Sequence, residues 1–327
     1  MEKSALRGEL RHNEPLAGYT TWRVGGPADR LYVPADQEDL ALFLRHLPPE
    51  EPLLWIGLGS NLLVRDGGFR GTVIAMAGVL NDVTWLPGSR IQVGAGMSCA
   101  RLARLLARQG LTGGEFFGGI PGTLGGALAM NAGAFGGETW ALVEEVTTLD
   151  RIGRARTRTP ADFQVGYRSV QPNHAREAGA EWFVAARLHF QPAVDERGAE
   201  RIRLLLEQRA RTQPIGLASA GSTFRNPEGD YAARLIEASG LKGVSEGGAC
   251  VSALHANFIL NAGEATAADI ESLIVRIQNR VEQLHGIRLF TEVHMVGEPT
   301  IREGSVHRPF LKASRKDPAQ VLKSQGP

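Results

Sequence analysis

The stretch GGEFFGGIPGTLGGALAMNAGAFGG, residues 113–137, decides the fold that we predict for this chain. Ten of its 25 positions are glycine, and only one, Glu115, is charged. Glycine adopts backbone conformations that other residues avoid, so main-chain N–H groups here can approach a ligand closely. Successive N–H groups can form a concavity that binds phosphate. We therefore interpret the stretch as a cradle for a pyrophosphate, in preference to a loop whose glycines serve only tight turns.

The composition of the whole chain is that of an ordinary globular protein. The chain is 43% hydrophobic and 22% charged, and its length of 327 residues suggests two or three domains. The net charge of +1 gives no electrostatic reason to expect a nucleic-acid or membrane partner. Cys99 and Cys250 are too few for a disulfide framework, and the N-terminal residues contain no apolar signal core. We expect a cytoplasmic protein, with nothing to suggest an obligate oligomer.

The pattern of apolar residues predicts a mixture of short strands and amphipathic helices. Helices are predicted at 36–47, 98–110, 201–212, 231–240 and 266–286. Strands are predicted at 53–57, 72–76, 83–85, 90–94, 141–150, 182–190, 256–261 and 288–298. The last helix has a capping box at Thr266 and Asp269, and Gly286 ends it. Strands and helices do not alternate regularly, so we predict an α+β fold and no doubly wound parallel sheet.

Another glycine loop, GLGSNLLVRDGG at 57–68, directly follows a predicted strand, and it is the first of the two glycine loops in chain order. Two such loops near strand ends indicate a nucleotide cofactor. Neither is a G-x-G-x-x-G at the start of a helix, and no G-x-x-x-x-G-K-[ST] occurs, so an ordinary Rossmann domain and a P-loop are both disfavoured. The histidines form no HExxH and no Cys–His cluster, so we expect no metal site.

Three polar residues are candidates for chemistry: Arg168, Ser222 and Glu292. Arg168 lies in a Gly-Tyr-Arg-Ser loop, Ser222 follows a glycine in a turn-rich segment, and Glu292 lies within a predicted strand. From spacing alone the simpler interpretations are favoured. These are a solvated surface cation for Arg168, a helix or turn cap for Ser222, and a salt-bridge partner for Glu292.

Several stretches together resemble one known family. They are TTWRVGGPAD (20–29), GLGSNLLVRDGGFRGTVI (57–74), GGIPGTLGGALAMNAGAFGGE (118–138), YRS (167–169), GSTFRNP (221–227), GDYAARLIEASGLKG (229–243), ANFILN (256–261) and TEVHMVGE (291–298). In this order and combination they resemble the UDP-N-acetylenolpyruvoylglucosamine reductase family of flavoenzymes. The resemblance covers most of residues 20–298. It favours functional roles for the three polar residues over the simpler interpretations.

The resemblance implies a fold and a domain division. It implies an α+β chain with an FAD-binding fold of the p-cresol methylhydroxylase type, in which two α+β lobes hold non-covalent FAD, followed by an α+β substrate domain. We expect an N-terminal extension at 1–19, the FAD-binding domain at 20–192, the substrate domain at 199–298 and a disordered tail at 300–327.

The resemblance also implies a reaction. NADPH would reduce the flavin, and UDP-N-acetylglucosamine enolpyruvate would then be reduced to UDP-N-acetylmuramate for peptidoglycan synthesis. A hydride would pass from the flavin N5 to the enolpyruvyl methylene. Arg168 would supply a cation, Glu292 would donate a hydrogen bond in its protonated form, and Ser222 would deliver the proton.

The same resemblance implies the residues that contact each ligand. The cofactor-binding residues would be Gly57, Gly59, Ser60, Asn61, Leu62, Gly119, Ile120, Pro121, Gly122, Gly125, Gly126, Asn131, Gly133 and Ala134. The substrate-binding residues would be Tyr167, Arg168, Arg225 and Asn226.

The chain departs from the family pattern in two ways and leaves two alternatives open. It resembles the shorter class, which lacks an inserted loop with a tyrosine, and it has His294 where many relatives have arginine. One alternative is an FAD oxidase of the same fold acting on an alcohol or lactone. Residues 53–74 contain no histidine for the covalent FAD link of many such oxidases. The other alternative is a catalytically silent nucleotide-binding protein.

Overall fold

The structure, a computed structural model, describes residues 6–173 and 180–300. Within these ranges the helices are α1 (Gln37–His46), α2 (Cys99–Arg108), α3 (Leu124–Ala129), α4 (Gly198–Thr212), α5 (Ala232–Ala238) and α6 (Ala267–His285). The first ten strands are β1 (Glu9–Pro15), β2 (Pro27–Val33), β3 (Leu53–Ile56), β4 (Leu62–Val64), β5 (Phe69–Ala75), β6 (Val83–Leu86), β7 (Arg90–Gly94), β8 (Leu111–Thr112), β9 (Gly133–Ala134) and β10 (Gly137–Glu138). The others are β11 (Val143–Asp150), β12 (Ala155–Arg158), β13 (Phe163–Gly166), β14 (Ser169–Pro172), β15 (Glu181–His189), β16 (Gln191–Pro192), β17 (Ser245–Glu246), β18 (Ala249–Val251), β19 (Ile259–Asn261) and β20 (His294–Val296).

The first lobe is a four-stranded sheet with the strand order β1-β2-β5-β3, and α1 packs on it. Strands β2, β5 and β3 run parallel, while β1 is antiparallel to β2. Helix α1 begins after Asp36, whose carboxylate caps the first turn, and it buries Leu40, Phe43 and Leu44. Residues 9–15, which lie in the predicted N-terminal extension, form β1 and so are part of this sheet.

The second lobe is a five-stranded antiparallel sheet with the strand order β12-β11-β15-β7-β6. Leu102 and Leu106 of α2 pack with Val93 and Leu188 of the sheet in one core. Ile202 of α4 belongs to the same core. Helix α4, predicted as the beginning of the substrate domain, therefore packs on the second lobe.

The C-terminal part combines the sheet β17-β18-β19 with α5 and α6. Helix α6 has the predicted capping box, in which Thr266 Oγ1 accepts from the Asp269 N–H at 3.1 Å and Asp269 accepts from the Thr266 N–H at 2.9 Å. Gly286 ends the helix in the left-handed region, at φ +68°. The buried face consists of Ile270, Leu273, Ile274, Ile277 and Val281. Leu284, in the last turn, lies outside this buried face and is 47% exposed.

The end of the first glycine loop is fastened to the C-terminal part. Asp66 accepts hydrogen bonds from the N–H groups of Ala267 and Ala268, both at 2.9 Å, and so caps the beginning of α6. Arg65 makes a two-pronged ion pair with Glu271, with distances of 2.9 and 2.8 Å. These contacts fix the first lobe relative to the helix that supports the C-terminal core.

The glycine stretch is not entirely loop, because Leu124–Ala129 forms α3 within it. Thr123 caps this helix by accepting from the Gly126 N–H. Leu124 and Leu128 are fully buried. The prediction missed the helix because Gly125 and Gly126 weaken its intrinsic helix propensity, which the burial of its leucines overrides.

The prediction of a single strand at 288–298 is wrong. Thr291 forms an isolated antiparallel bridge with Phe224, whereas His294–Val296 pairs in parallel with β4. The segment thus changes pairing partner between the two contacts. Glu292 lies at this crossover and is not in the middle of a strand.

The predicted tail lies outside the described residues beyond residue 300. Among the described helices, none combines the length and the apolar character needed to cross a membrane.

Candidate active site

The hairpin of β13 and β14 carries Arg168 at its tip. Gly166 pairs with Ser169, so Tyr167 and Arg168 are the two residues of the turn. Arg168 has φ +53°, a left-handed conformation that is uncommon outside glycine and that concentrates at functional sites. Its side chain is only 17% exposed. The interpretation of Arg168 as a solvated surface cation is therefore wrong.

The guanidinium of Arg168 is held by the glycine stretch and by Glu292. Nε donates to Glu292 Oε1 at 2.9 Å, while Nη1 and Nη2 donate to the carbonyls of Asn131 and Gly133 at 3.4 and 3.3 Å. Asn131, predicted as a cofactor contact, is itself fixed because its Oδ1 accepts from the Trp140 N–H at 3.1 Å. The arginine is thus oriented by the chain before any ligand binds.

Glu292 is positioned by contacts from both sides. Its N–H donates to the Thr223 carbonyl at 2.8 Å, and its own carbonyl accepts from Asn61 Nδ2 at 3.1 Å. The His294 N–H donates to the Asn61 carbonyl at 3.0 Å. The Glu292 side chain is 12% exposed and is the ion-pair partner of Arg168. Asn61 of the first glycine loop therefore helps to fix the position of Glu292.

The electrostatic environment favours the neutral form of two groups. Burial raises the pKa of Glu292, and the nearby cations Arg168 and Arg225 oppose this shift without cancelling it. A protonated carboxyl can donate a hydrogen bond, which a carboxylate cannot. Partial burial and the charge of Arg225 lower the pKa of His294, so its imidazole is neutral at neutral pH.

Ser222 lies in a segment clamped by Asn257. The Thr223 N–H donates to the Asn257 carbonyl at 2.8 Å, and the Asn257 amide exchanges hydrogen bonds of 2.9 and 2.8 Å with the Phe224 backbone. Gly221 precedes the serine with φ +71°, which accounts for glycine at this position. The Ser222 hydroxyl has no hydrogen-bond partner among the described residues, so it does not cap a helix or turn there.

One cavity of about 240 Å³ brings Arg168, Ser222 and Glu292 together. Seven of the predicted cofactor-binding residues line the same cavity, namely Ser60, Asn61, Gly119, Ile120, Pro121, Gly133 and Ala134. Its other walls are formed by Met130, Ala132, Phe135, Arg209, Gln213, Ala220, Gly221 and Phe258. Residues of the C-terminal part thus face both glycine loops across one space.

A second cavity of about 260 Å³ lies between the two lobes and includes Gly57, Gly125 and Gly126 in its wall. The rings of Trp55 and Trp182, also in the wall, stack with 5.1 Å between centroids. The buried Trp55 Nε1 has no hydrogen-bond partner among the described residues. A buried donor without an acceptor is costly, so this wall fits a ligand that offers one beside flat apolar surface, as FAD would.

The remaining predicted cofactor residues have other surroundings. A Cβ at Gly59, where φ is +60°, would lie 2.0 Å from the Tyr19 carbonyl, so chain packing requires this glycine. Leu62 is buried in the first lobe. A Cβ at Gly122 would lie 3.4 Å from Ser60 Oγ, which shows that the two glycine loops face each other here.

The predicted substrate residues differ in whether their polar atoms are free to bind a ligand or are already bonded within the chain. Tyr167 is 51% exposed, and the Arg168 guanidinium lies 5.1 Å from its ring centroid. The buried Arg225 Nε has no hydrogen-bond partner within the described part of the chain. Asn226 Oδ1, in contrast, accepts from the Ala232 N–H at 3.1 Å and caps α5. Arg225 is therefore available for an anion, whereas the Asn226 oxygen is already used.

Sequence reasoning missed Arg209 and Asn257. Asn257 is a polar residue in the apolar segment ANFILN, and that contrast could have revealed it. Arg209 shows only helical spacing to Gln213, and its contact with Gly119 gives no signal in the sequence.

Two family models match the chain. The model for an FAD binding domain matches residues 28–158, and the model for the C-terminal domain of UDP-N-acetylenolpyruvoylglucosamine reductase matches residues 213–296. A UDP-N-acetylenolpyruvoylglucosamine reductase of Alkalilimnicola ehrlichii is 58% identical over 297 residues, which cover 91% of this chain and 98% of that protein.

The chain belongs to the UDP-N-acetylenolpyruvoylglucosamine reductase family.

Further comparisons agree with this assignment. A UDP-N-acetylenolpyruvoylglucosamine reductase of Legionella pneumophila strain Corby is 56% identical over 90% of this chain and 95% of its own length. A crystal structure of the reductase from Thermus caldophilus superposes with a TM-score of 0.73 at 33% identity, and the match covers 89% of this chain and 99% of that one.

These findings confirm the predicted family and fold class: an FAD-binding fold of the p-cresol methylhydroxylase type followed by a C-terminal α+β part. The two family models lie within the predicted domains 20–192 and 199–298, whose limits stay a prediction. Within the described residues, no group of three or more His, Cys, Asp or Glu side chains could hold a metal ion.

Proposed function

We propose that this chain reduces UDP-N-acetylglucosamine enolpyruvate to UDP-N-acetylmuramate, using NADPH, as a step in peptidoglycan precursor synthesis. The observation that carries the proposal is the cavity that unites the Arg168–Glu292 pair with Ser222 opposite the glycine stretch. FAD, when bound, supplies to the enolpyruvyl methylene carbon the hydride that it has accepted from NADPH.

The FAD would be held by both glycine loops and by the wall between the lobes. Ser60 and Asn61 of the first loop and Ile120 and Pro121 of the second lie on one cavity, close to the catalytic side chains. Trp55 lies on the other cavity and offers its unpartnered N–H. This arrangement supports a cofactor that extends from the space between the lobes to the catalytic cavity.

Arg168 and Glu292 would stabilise the charge that develops during reduction. Hydride addition to the terminal carbon places negative charge on the neighbouring carbon and on its carboxylate. The Asn131 and Gly133 carbonyls already orient Arg168, so its positive charge requires no reorganisation during the reaction. Burial raises the pKa of Glu292, which favours the protonated form that donates a hydrogen bond to the same charge.

Ser222 would complete the reduction by delivering a proton from Oγ. A serine hydroxyl is a poor acid in water, but the carbanion-like species that receives the proton is a strong base. The Ser222 hydroxyl has no partner among the described residues, and Asn257 clamps the residues that follow it. A free hydroxyl on a fixed backbone suits a single directed proton transfer.

Besides Arg168, the substrate would contact Tyr167, Arg225 and Asn226. The unpartnered Arg225 Nε suits a phosphate oxygen, and the exposed Tyr167 ring offers apolar surface. Asn226 contributes through its amide nitrogen, because its oxygen caps α5.

The chain would work in the cytoplasm, as a monomer, on small molecules and without a nucleic-acid or membrane partner. A net charge of +1 supports the absence of polyanionic partners. The free thiols of Cys99 and Cys250 suit a reducing compartment.

Steady-state turnover tests the proposal. Incubation with NADPH and UDP-N-acetylglucosamine enolpyruvate should consume one NADPH for each UDP-N-acetylmuramate formed, followed at 340 nm and by mass spectrometry. Oxygen consumption with an alcohol or lactone, and no UDP-N-acetylmuramate, would favour the oxidase. Bound flavin without turnover of either kind would favour the silent protein.

A further inference from the structure

The segment that begins with Ser222 is held between two other stretches of the chain. On one side, the Thr223 N–H donates to the Asn257 carbonyl at 2.8 Å. On the other side, the Thr223 carbonyl accepts from the Glu292 N–H, also at 2.8 Å. One buried residue, Thr223, therefore fixes the backbone of Ser222 relative to that of Glu292.

The side chain of Asn257 fastens the next residue of the segment. Its Oδ1 accepts from the Phe224 N–H at 2.9 Å, and its Nδ2 donates to the Phe224 carbonyl at 2.8 Å. The amide thus exchanges two hydrogen bonds with one backbone residue, as an opposite residue does in an antiparallel sheet. Asn257 is 3% exposed and Phe224 is 1% exposed, so water cannot replace these bonds without a local opening.

Asn257 can influence the chemistry only through its neighbours. Among the described residues, the wall of the catalytic cavity includes Ser222, Glu292 and Phe258, and Asn257 is not part of it. The Ser222 hydroxyl makes no hydrogen bond within the described part of the chain, so its direction depends on the backbone of the segment. The bonds from Asn257 therefore determine where this hydroxyl lies.

We infer that Asn257 is a positioning residue for proton delivery: it aims the Ser222 hydroxyl at one face of the substrate carbon and holds Glu292 in register with it. The inference rests on the proposed function. In that step the Ser222 O–H bond breaks as a C–H bond forms at the carbon beside the carboxylate, and solvent water returns a proton to Oγ. A misplacement of about 1 Å can cost about 10²-fold in rate. Without an aimed hydroxyl, water would protonate the carbon from either face.

The test compares Asn257→Asp with the matched control Asn261→Asp. An ionised aspartate keeps the shape of Asn257 and accepts from the Phe224 N–H, but it cannot donate to the Phe224 carbonyl. Asn261, four residues later, directs its described side-chain bonds to Trp22 and to the turn at 263–265. The control therefore perturbs the same part of the protein without removing a bond to the Ser222 segment.

Each holoenzyme is reduced anaerobically with NADPH and mixed with UDP-N-acetylglucosamine enolpyruvate in D2O. Stopped-flow absorbance gives the rate of flavin reoxidation, and NMR gives the configuration of the carbon that gains deuterium. Wild type and Asn261→Asp should form one diastereomer, with rates within about 3-fold of each other. Asn257→Asp should keep the rate of flavin reduction within about 3-fold, reoxidise about 10- to 100-fold more slowly and form both diastereomers.

Loss of the rate or of the single configuration, confined to Asn257→Asp, supports the inference. A folded Asn257→Asp protein with one diastereomer and reoxidation within about 3-fold of wild type overturns it. Equal losses in Asn261→Asp would also overturn it, because they would show general loosening of this part of the protein. If Asn257→Asp does not fold, Asn257→Ser decides: serine fits the space but is too short to bond both groups of Phe224, so unchanged rate and configuration would overturn the inference. A wild-type protein that forms no UDP-N-acetylmuramate, or forms both diastereomers, would instead contradict the proposed function.

Discussion

Replacement of Arg168 by glutamine removes one cation from the cavity that also contains Ser222 and Glu292, and it preserves most of the shape of the side chain. The wild-type guanidinium makes one short bond, 2.9 Å to Glu292, and two long ones, 3.4 and 3.3 Å, to main-chain carbonyls. Glutamine can occupy the same left-handed turn position at a similar backbone cost. The substitution therefore tests the charge and the short bond more than the backbone of the hairpin.

The magnitude follows from this geometry. The loss of one preorganised group that stabilises developing charge lowers kcat by about 10²- to 10³-fold. Glu292, 12% exposed, would lose the hydrogen bond that it accepts from Arg168, and we expect the free energy of unfolding to fall by about 1–3 kcal/mol. The substitution should thus lower the reaction rate more than it lowers stability, and the protein should remain folded.

The assay separates the two half-reactions by anaerobic stopped-flow absorbance of the flavin. Reduction by NADPH should stay within about 3-fold of wild type in Arg168→Gln, while reoxidation by the enolpyruvyl substrate should slow by about 10²- to 10³-fold. Arg211→Gln, which removes an exposed charge, should change neither rate. Reoxidation within about 5-fold of wild type in a folded, FAD-loaded Arg168→Gln protein would refute the assigned role.

Four further perturbations follow from the same site. Ser222→Ala should leave flavin reduction by NADPH intact and slow reoxidation by about 10²-fold or more in single turnover, and equal turnover would contradict proton delivery by this serine. Because the pKa of Glu292 is raised, its protonated form prevails below that pKa, so the reoxidation rate should fall as the pH rises through it. A pH series should show this fall in the reoxidation rate in wild type and not in Glu292→Gln. The contribution of Glu292 to the free energy of unfolding is likewise complete below its unfolded pKa of about 4.3, and it is lost as the pH rises through the pKa of the folded protein. Trp55→Phe keeps the ring but removes the buried donor, so fluorescence titration should show FAD bound about 3- to 10-fold more weakly; unchanged affinity would remove Trp55 from the cofactor site. His294→Arg should lower the KM for the UDP substrate about 3- to 10-fold at pH 8, where the wild-type imidazole is neutral, and an unchanged KM would place His294 away from the substrate.

Features governed by local interactions could be predicted from the sequence. Helix α6 follows from a stripe of apolar residues between a Thr266–Asp269 capping box and Gly286, all of which lie within one short segment. The candidate catalytic residues Arg168, Ser222 and Glu292 are indicated by the family resemblance, while their spacing alone favours simpler roles. The structure adds that one cavity contains all three.

Features that depend on distant contacts could not be predicted. Helix α3 forms in a glycine-rich stretch because its leucines are buried by other elements. The strand predicted at 288–298 is interrupted because Thr291 bonds to one partner and His294 to another. The Arg209 side chain donates a hydrogen bond to the Gly119 carbonyl, which lies 90 positions earlier in the chain. The sequence pattern within a single segment contains no signal for contacts of this kind.

The most direct test of the central claim is an anaerobic experiment on the purified protein. The bound flavin is reduced with NADPH, UDP-N-acetylglucosamine enolpyruvate is added, and the visible absorbance is followed. We predict prompt return of the oxidised flavin spectrum, with formation of UDP-N-acetylmuramate. A flavin that stays reduced until oxygen is admitted would contradict the account.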